Sequence, residues 1–244
     1  MDRIAIIADI HGNLPALEAV LHDIHQRGIE RILCLGDIIG KGPSTAEVID
    51  ICRNVCEQVV FGNWELSILN LPQFAVCEWH YQFFTPERLA YLKNLSATIE
   101  FQMSGKQVRL YHASQLGAYY RVQMYDSREK HLAMFDNTPF TGTAMRPDVV
   151  GYADIHVAFQ HHLQHRLLFN TGSVGNPIDM TMASYAILEG VYGSAEPAPF
   201  SVQTVRLPYD IERAVRLAEA SDMPERDEFI RELRTAEYRK WRRK

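Results

Sequence analysis

Ile4-Ala5-Ile6-Ile7-Ala8-Asp9-Ile10-His11-Gly12-Asn13 is the stretch on which the fold turns. Five consecutive apolar residues predict a strand buried on both faces, as in a parallel sheet between helical layers. The run stops at polar residues and a glycine. A helix follows, with Pro15 in its first turn, Leu14, Leu17, Leu21 and Ile24 on one stripe, and Gly28 as its stop. The same rhythm returns twice. Ile32-Leu33-Cys34-Leu35 ends at Gly36-Asp37, and Val59-Val60-Phe61 ends at Gly62-Asn63-Trp64-Glu65. Between them Ser44 and Glu47 predict a capping box for a helix that buries Val48, Ile51 and Val55. Alternating strands and helices predict parallel pairing, hence an α/β fold.

Composition sets the frame. The chain has 244 residues, 47% of them hydrophobic and 23% charged, and a formal net charge of −5. These values predict a folded globular chain, read as one domain over 1–244, and exclude general disorder. The acidic balance argues against a protein wrapped in long nucleic acid, though not against a small nucleotide. No apolar run is long enough to span a bilayer, and Met1-Asp2-Arg3 leads straight into a strand rather than a secretory signal. Cys34, Cys52, Cys56 and Cys77 form no CxxC pair, so reduced cysteines and a cytoplasmic setting are expected.

Beyond Glu65 the character changes. Residues 65–98 carry Trp79, Tyr81, Phe83, Phe84 and Tyr91, punctuated by Pro72 and Pro86. The segment reads either as a small helical cap beside the site or as further helical core. Strand signals then return. Gln107–Tyr111 leads into His112, Asp148–Tyr152 into Ala153-Asp154-Ile155-His156, and Leu167–Phe169 into Asn170-Thr171-Gly172-Ser173-Val174-Gly175. Tyr185–Leu188 and Phe200–Val205 read as a closing hairpin. Two helices, about 210–221 and 225–239, fill the C-terminal part 210–244, and the basic tail from Arg239 to Lys244 reads as a solvated end.

Ligands of open α/β sheets bind at the carboxyl ends of the strands. Asp9, His11, Asp37, Asn63, His112, Asp154 and His156 all follow predicted strands, so they are expected at one rim. Carboxylates, imidazoles and an amide without a thiolate suit Mn²⁺, Fe or Zn²⁺. Seven such groups exceed what one ion with open positions needs and suit two ions, an arrangement that clamps both oxygens of a displacement at phosphorus.

The series Asp9-x-His11-Gly12-Asn13, Gly36-Asp37, Gly62-Asn63, His112, Ile155-His156 and Asn170–Gly175 resembles the calcineurin-like metallophosphoesterase superfamily, in its bacterial phosphodiesterase branch. The likeness runs from residue 2 to about 210. It implies a four-layer α-β-β-α sandwich carrying a helical cap, two divalent ions, and attack on phosphorus by a hydroxide bridging them. By motif, Asp9, His11 and His156 would hold one metal, Asn63 and His112 the other, with Asp37 between. Asp37, Asn63, Trp64 and His112 would form the catalytic group. Asn13, Asn63, Trp64, Gly172 and Ser173 would border the substrate.

The chain departs from the family pattern at three places. Trp64 stands where a histidine is usual, and indole cannot deliver a proton at neutral pH. That loss, worth ~10²–10⁴-fold for general acid help, matters least for weakly basic leaving groups. Gly-Asn-Trp-Glu resembles a subgroup that includes hydrolases of dinucleoside polyphosphates and other phosphodiesters, so nucleotide-type phosphoanhydrides or activated diesters are expected. Trp64 would either stack on a base or pack under the cap. Asp154 stands where a histidine ligand is usual. It would either bind the second ion, leaving the site one positive charge poorer and favouring Mn²⁺ or Fe over Zn²⁺ or Ni²⁺, or turn away. His112 is followed by Ala113 instead of glycine, a small change. His161, His162 and His165 read as surface histidines or as one group reaching the substrate, and His80 and His131 are candidate replacement proton donors.

The competing expectation is a binding or scaffold module that keeps the fold without catalysis. A protein phosphatase is disfavoured by the lack of that branch's Arg-Gly motif, and a nuclease on long DNA by the acidic charge.

Overall fold

The computed structural model describes residues 1–70 and 74–238. In chain order the elements are β1 (Asp2–Ile7), α1 (Leu14–Gln26), β2 (Arg31–Cys34), α2 (Thr45–Val55), β3 (Gln58–Val59), α3 (Asn63–Asn70), α4 (Ala75–Tyr81) and α5 (Pro86–Lys93). There follow β4 (Thr98–Met103), β5 (Lys106–Tyr111), α6 (Arg128–Ala133), β6 (Val149–Tyr152), β7 (Ala158–Leu163), β8 (Arg166–Thr171), β9 (Ala183–Gly190), β10 (Ser201–Leu207), α7 (Ile211–Glu219) and α8 (Arg226–Thr235). The basic tail 239–244 and Pro72 lie outside the described residues. Among the described residues no helix is long and apolar enough to cross a membrane.

Two five-stranded mixed sheets, ordered β10-β9-β1-β2-β3 and β4-β5-β6-β8-β7, stack face to face. β1, β2 and β3 are parallel, and β9 and β10 close that sheet as an antiparallel pair. The apolar run of β1 is explained by two buried faces. Ile4, Ile6 and Ala8 enter the layer between the sheets with Leu33, Val108, Leu110 and Phe169. Ala5 and Ile7 face the helices with Leu17, Val20, Ile24, Val48 and Ile49. Each buried aliphatic side chain contributes about 1.5–3 kcal/mol.

The outer face of the second sheet is covered differently. Tyr111, Val150, Tyr152 and Leu168 pack against Val122, Met134 and Phe135 from the segment between β5 and β6, where α6 is the single helix. The buried phenols find acceptors in that segment: Tyr111 donates to Met134 O at 2.9 Å and Tyr152 to Val122 O at 2.8 Å. The fourth layer is thus mostly irregular chain fastened by side-chain hydrogen bonds.

Local expectations fail at three points. Ser44 precedes α2 but makes no side-chain cap bond; its ψ of 51° is far from the extended conformation that aims a hydroxyl at the first helical N–H groups. β3 is only two residues long; Val60 N still donates to Cys34 O, but on its other side the chain bridges to Ser96 at Val60 and Phe61 N donates to Ser96 O. β4 and β7 are strands that the sequence pattern did not announce. The helices of segment 65–98 have two faces. Ile68, Cys77 and Leu92 join the core under α1 and α2, while Trp64, Ser67, Phe74 and Val76 line a cleft at the strand ends.

A glycine governs the contact between the sheets at β6. A Cβ at Gly151 would overlap the Phe169 and Leu110 side chains. Gly151→Ala is expected to cost about 1–3 kcal/mol by overpacking, seen as a lower urea midpoint at unchanged slope. An unchanged midpoint would show that the layer between the sheets is loosely packed.

Candidate active site

The strand-end residues meet because their loops are stitched together by backbone. Asp9 N donates to Gly36 O, His11 N to Asp37 O, Ala153 N to His112 O, and Gly175 N to Asp9 O, all within 2.8–3.0 Å. Glu65 is the buried brace. Its carboxylate accepts from Asp37 N at 2.9 Å, Gly62 N at 2.7 Å and Ile39 N at 3.3 Å. Burial and the Asp37 charge push Glu65 up to about 7, and the N–H donors pull it back.

Two buried triads result, Asp9-His11-His156 and Asp9-Asp37-His112, each with ligand atoms within 4.8 Å of one another. Asp37 Oδ2 lies 3.7 Å from His11 Nε2 and 3.5 Å from His112 Nε2, between the two groups. Asp37 Oδ1 accepts from Trp64 N at 2.9 Å, which sets its orientation. Asn63 Oδ1 lies 3.1 Å from His112 Nε2, at the start of α3.

The residues fit a pair of divalent cations. Each triad histidine gives its Nδ1–H to a backbone carbonyl: His11 to Ile39 O at 3.2 Å, His112 to Leu35 O at 2.7 Å, His156 to Asn176 O at 2.6 Å. That fixes the tautomer and turns Nε2 toward the centre, as in metal-bound imidazoles. His11 Nε2 and His156 Nε2 then stand 3.0 Å apart, and two bare nitrogens so close repel unless a cation or a proton lies between them. Asp9 Oδ1 is buried without a hydrogen-bond partner among the described residues. Such a group is costly unless a cation answers it.

The electrostatics agree. Burial raises Asp9 well above the usual carboxylate range, and Asp37 and Asp154 add to the rise. Burial would lower His112, but Asp37, Asp9 and Asp154 outweigh it and hold the imidazole well above its ordinary value. Burial lowers His11 and His156, helped by Lys41, so both are neutral and ready to ligate.

Asp154 joins neither triad. Its two oxygens accept from Arg121 Nε at 2.8 Å and Nη2 at 2.7 Å in a bidentate pair. In this structure the carboxylate is paired with a guanidinium, while its Oδ1 also lies 3.8 Å from His112 Nε2. Three residues expected at the substrate border are buried in the structure. Asn13 is buried, capping α1 through Ala16 N and donating to Gly175 O at 2.7 Å. Ser173 is buried and donates to Asp9 O at 2.7 Å. Gly172 packs on Ser184, where a Cβ would clash. Ser173 Oγ and Gly175 N hold the Asp9 loop from beneath through Asp9 O, while Gly172 N is engaged by Asn170 Oδ1 and Val174 N by Ala8 O.

The triads open into a cleft of about 680 Å³. Its polar floor includes Asp37, Asn63, Asp154 and His156, and its walls carry Trp64, Phe74, Val76, Met124 and Tyr125. Gly40 backs the Trp64 ring so tightly that a Cβ there would overlap it, and the His11 ring meets its edge at 6.0 Å. Neither candidate proton donor reaches the cleft. His80 is buried, bonded to Thr45 Oγ1 at 2.6 Å and pushed down to about 3 by burial. His131 donates to Gln123 O at 2.9 Å and faces His161. His162 and His165 lie along a separate groove with Lys106 and Phe200. The sequence reading missed Glu65's bracing, Arg121 and Lys41. Glu65 stood inside the quoted motif; Arg121, in an irregular segment, had no local signal.

The whole-chain likenesses agree with this architecture. A metallophosphoesterase from Sphaerobacter thermophilus is 24% identical, covering 96% of this chain and 99% of its own, with a TM-score of 0.77. A hypothetical protein from Pyrococcus horikoshii OT3 is 19% identical over 96% of this chain and 98% of its own, with a TM-score of 0.78. These two share the fold. An uncharacterized protein of Methanocaldococcus jannaschii is 30% identical over 235 residues, 91% of this chain and 94% of that protein. The calcineurin-like phosphoesterase superfamily domain matches residues 2–191, across both triads and the loops that join them. The chain therefore belongs to the calcineurin-like phosphoesterase superfamily.

Proposed function

We propose that this protein is a metal-dependent phosphoesterase that hydrolyses phosphodiester or phosphoanhydride bonds of nucleotide-type substrates. One observation carries the reading: two metal-competent triads sit at the floor of a cleft with aromatic walls. A phosphoryl group belongs at the floor. A base or other flat apolar moiety belongs against Tyr125 and Phe74, which are 78% and 54% exposed. Stacking there would contribute ~1–3 kcal/mol per base.

Two divalent ions would supply Lewis-acid activation of water and of the phosphoryl oxygens, and the carboxylate, imidazole and amide donors suit Mn²⁺, Fe or Zn²⁺. Asp9, His11 and His156 would hold one and His112 with Asn63 the other, with Asp37 between them and within reach of both. Glu65 keeps Asp37 in place through its N–H, and Trp64 N–H holds the carboxylate's outer oxygen. The indole fills the space under the cleft wall and has no proton to give. Among the described residues lining the cleft, the sole imidazole is His156 of the first triad. The leaving group must therefore depart with little acid help, which favours phosphoanhydrides and activated diesters over alkyl phosphomonoesters.

Bis-p-nitrophenyl phosphate and then dinucleoside polyphosphates, assayed with Mn²⁺ and with EDTA, test the reading. Turnover should need metal, and Asp37→Asn should lower it more than ~10²-fold. Alkyl monoesters should be slower by ~10²–10⁴-fold. No turnover with Mn²⁺, Fe²⁺, Ni²⁺ or Zn²⁺ would instead favour a scaffold that kept the fold.

Metal binding itself carries a pH signature. His112 and Asp9 are held above their ordinary values, so both carry more proton than free side chains and must release it to ligate. Affinity should rise with pH, and the calorimetric enthalpy at pH 6 should change with the buffer's ionisation enthalpy. A buffer-independent enthalpy would contradict this account of the triads.

A further inference from the structure

Two cationic side chains line the cleft among the described residues, Lys41 and Arg121. Lys41 is committed to Asn176 Oδ1 at 2.5 Å and Glu232 Oε2 at 3.1 Å. Arg121 is different. Its fork engages Asp154 through Nε and Nη2 only, which leaves three of a guanidinium's five N–H donors. Its side chain is 44% exposed while Asp154's is 3% exposed, so the charge is anchored at its base and open toward the cleft.

The anchor stands next to the metal-competent centre. The oxygen of Asp154 that accepts from Arg121 Nη2 is also 3.8 Å from His112 Nε2, so one carboxylate separates the guanidinium from the second triad. Asp154 N donates to Asp9 Oδ2 at 3.1 Å, which ties the anchor to the ligand shared by both triads. The backbone around Arg121 is pinned as well. Val122 O accepts from Tyr152, on the strand that leads into Asp154, and Gln123 O accepts from buried His131. A guanidinium so fixed is prepared to bind an anion without first being ordered.

We infer that Arg121 binds the phosphoryl oxygens of the substrate, and that Asp154 is the positioning residue that aims it rather than a metal ligand. The inference rests on the reading of the cleft as a phosphoesterase site. It places a fixed positive charge beside the second triad. Arginine suits this place because its planar fork can hold a carboxylate with one edge and phosphate oxygens with another.

Inorganic phosphate binding to the Mn²⁺-loaded protein, followed by calorimetry, tests this without turnover. Arg121→Met should weaken phosphate ~10–100-fold, the scale of a lost charge-assisted pair. Arg121→Lys should recover part of that, as a point charge without the fork. Asp154→Asn should weaken phosphate in the same direction while metal analysis still finds two ions per chain. The double variant Arg121→Met, Asp154→Asn should be no worse than Arg121→Met alone, because the two act as a unit. Phosphate affinity unchanged in Arg121→Met, or one ion lost in Asp154→Asn, would overturn the inference. Thermal midpoints identify any variant that fails to fold, in which case Arg121→Lys and Asp154→Asn decide. Phosphate binding that depends on Arg121 in a protein without hydrolysis would remove the proposed reaction and leave this site standing. Hydrolysis with phosphate affinity indifferent to Arg121 would do the reverse.

Discussion

Asp9, His11, Asp37, Asp154 and His156 all hold a left-handed backbone, with φ between 50° and 64°. For residues other than glycine that conformation is uncommon, and strained positions cost on the order of 1–3 kcal/mol each. The strain is concentrated where strands end and chains must turn sharply to bring their next side chains back over the sheet rim. It is held by hydrogen bonds that run between loops rather than within them, and by the Glu65 carboxylate that gathers three N–H groups. The two sheets supply the rigid base, since the residues just before these turns, Ala8, Leu35 and Ala153, are buried between them. Fold stability thus holds the geometry of the site.

The rim itself was legible in the sequence because its signals are local. A buried strand on two faces must be apolar throughout, and its end is marked by the first polar residue, so Asp9, Asp37 and His112 could be placed at one edge before any coordinates. What was not legible was long-range. β7 carries His161 and His162 on a partly exposed edge, so its pattern lacks an apolar face; β4 follows directly on helical sequence. The Ser44 capping box depended on a dihedral angle that Ser44's backbone bond to Gly12 O sets from outside the helix. Asn13, Gly172 and Ser173 have the right residue types for an anion cradle, yet their donors serve the chain itself. Arg121 is 33 positions from its partner and comes from irregular chain, where no periodicity points to a site.

The departures at Trp64 and Asp154 look separate in the sequence and meet in the structure. Trp64 fills the wall between the first triad and the helices, backed by Gly40, with the His11 ring at its edge. Asp154 carries a guanidinium into the same cleft. The site holds buried carboxylates and the neutral imidazoles of His11 and His156, which suit divalent ions, and the cleft walls carry Phe74 and Tyr125.

The two triads are proposed to form one dinuclear centre joined by Asp37, with Asp154 outside it. Anomalous diffraction from crystals of the Mn²⁺-loaded protein tests it most directly. Two manganese peaks flanking Asp37 are expected, with Asp9 Oδ1 turned to metal and Asp154 still paired with Arg121. A single peak, or Asp154 released from Arg121 and bound to an ion, would contradict it.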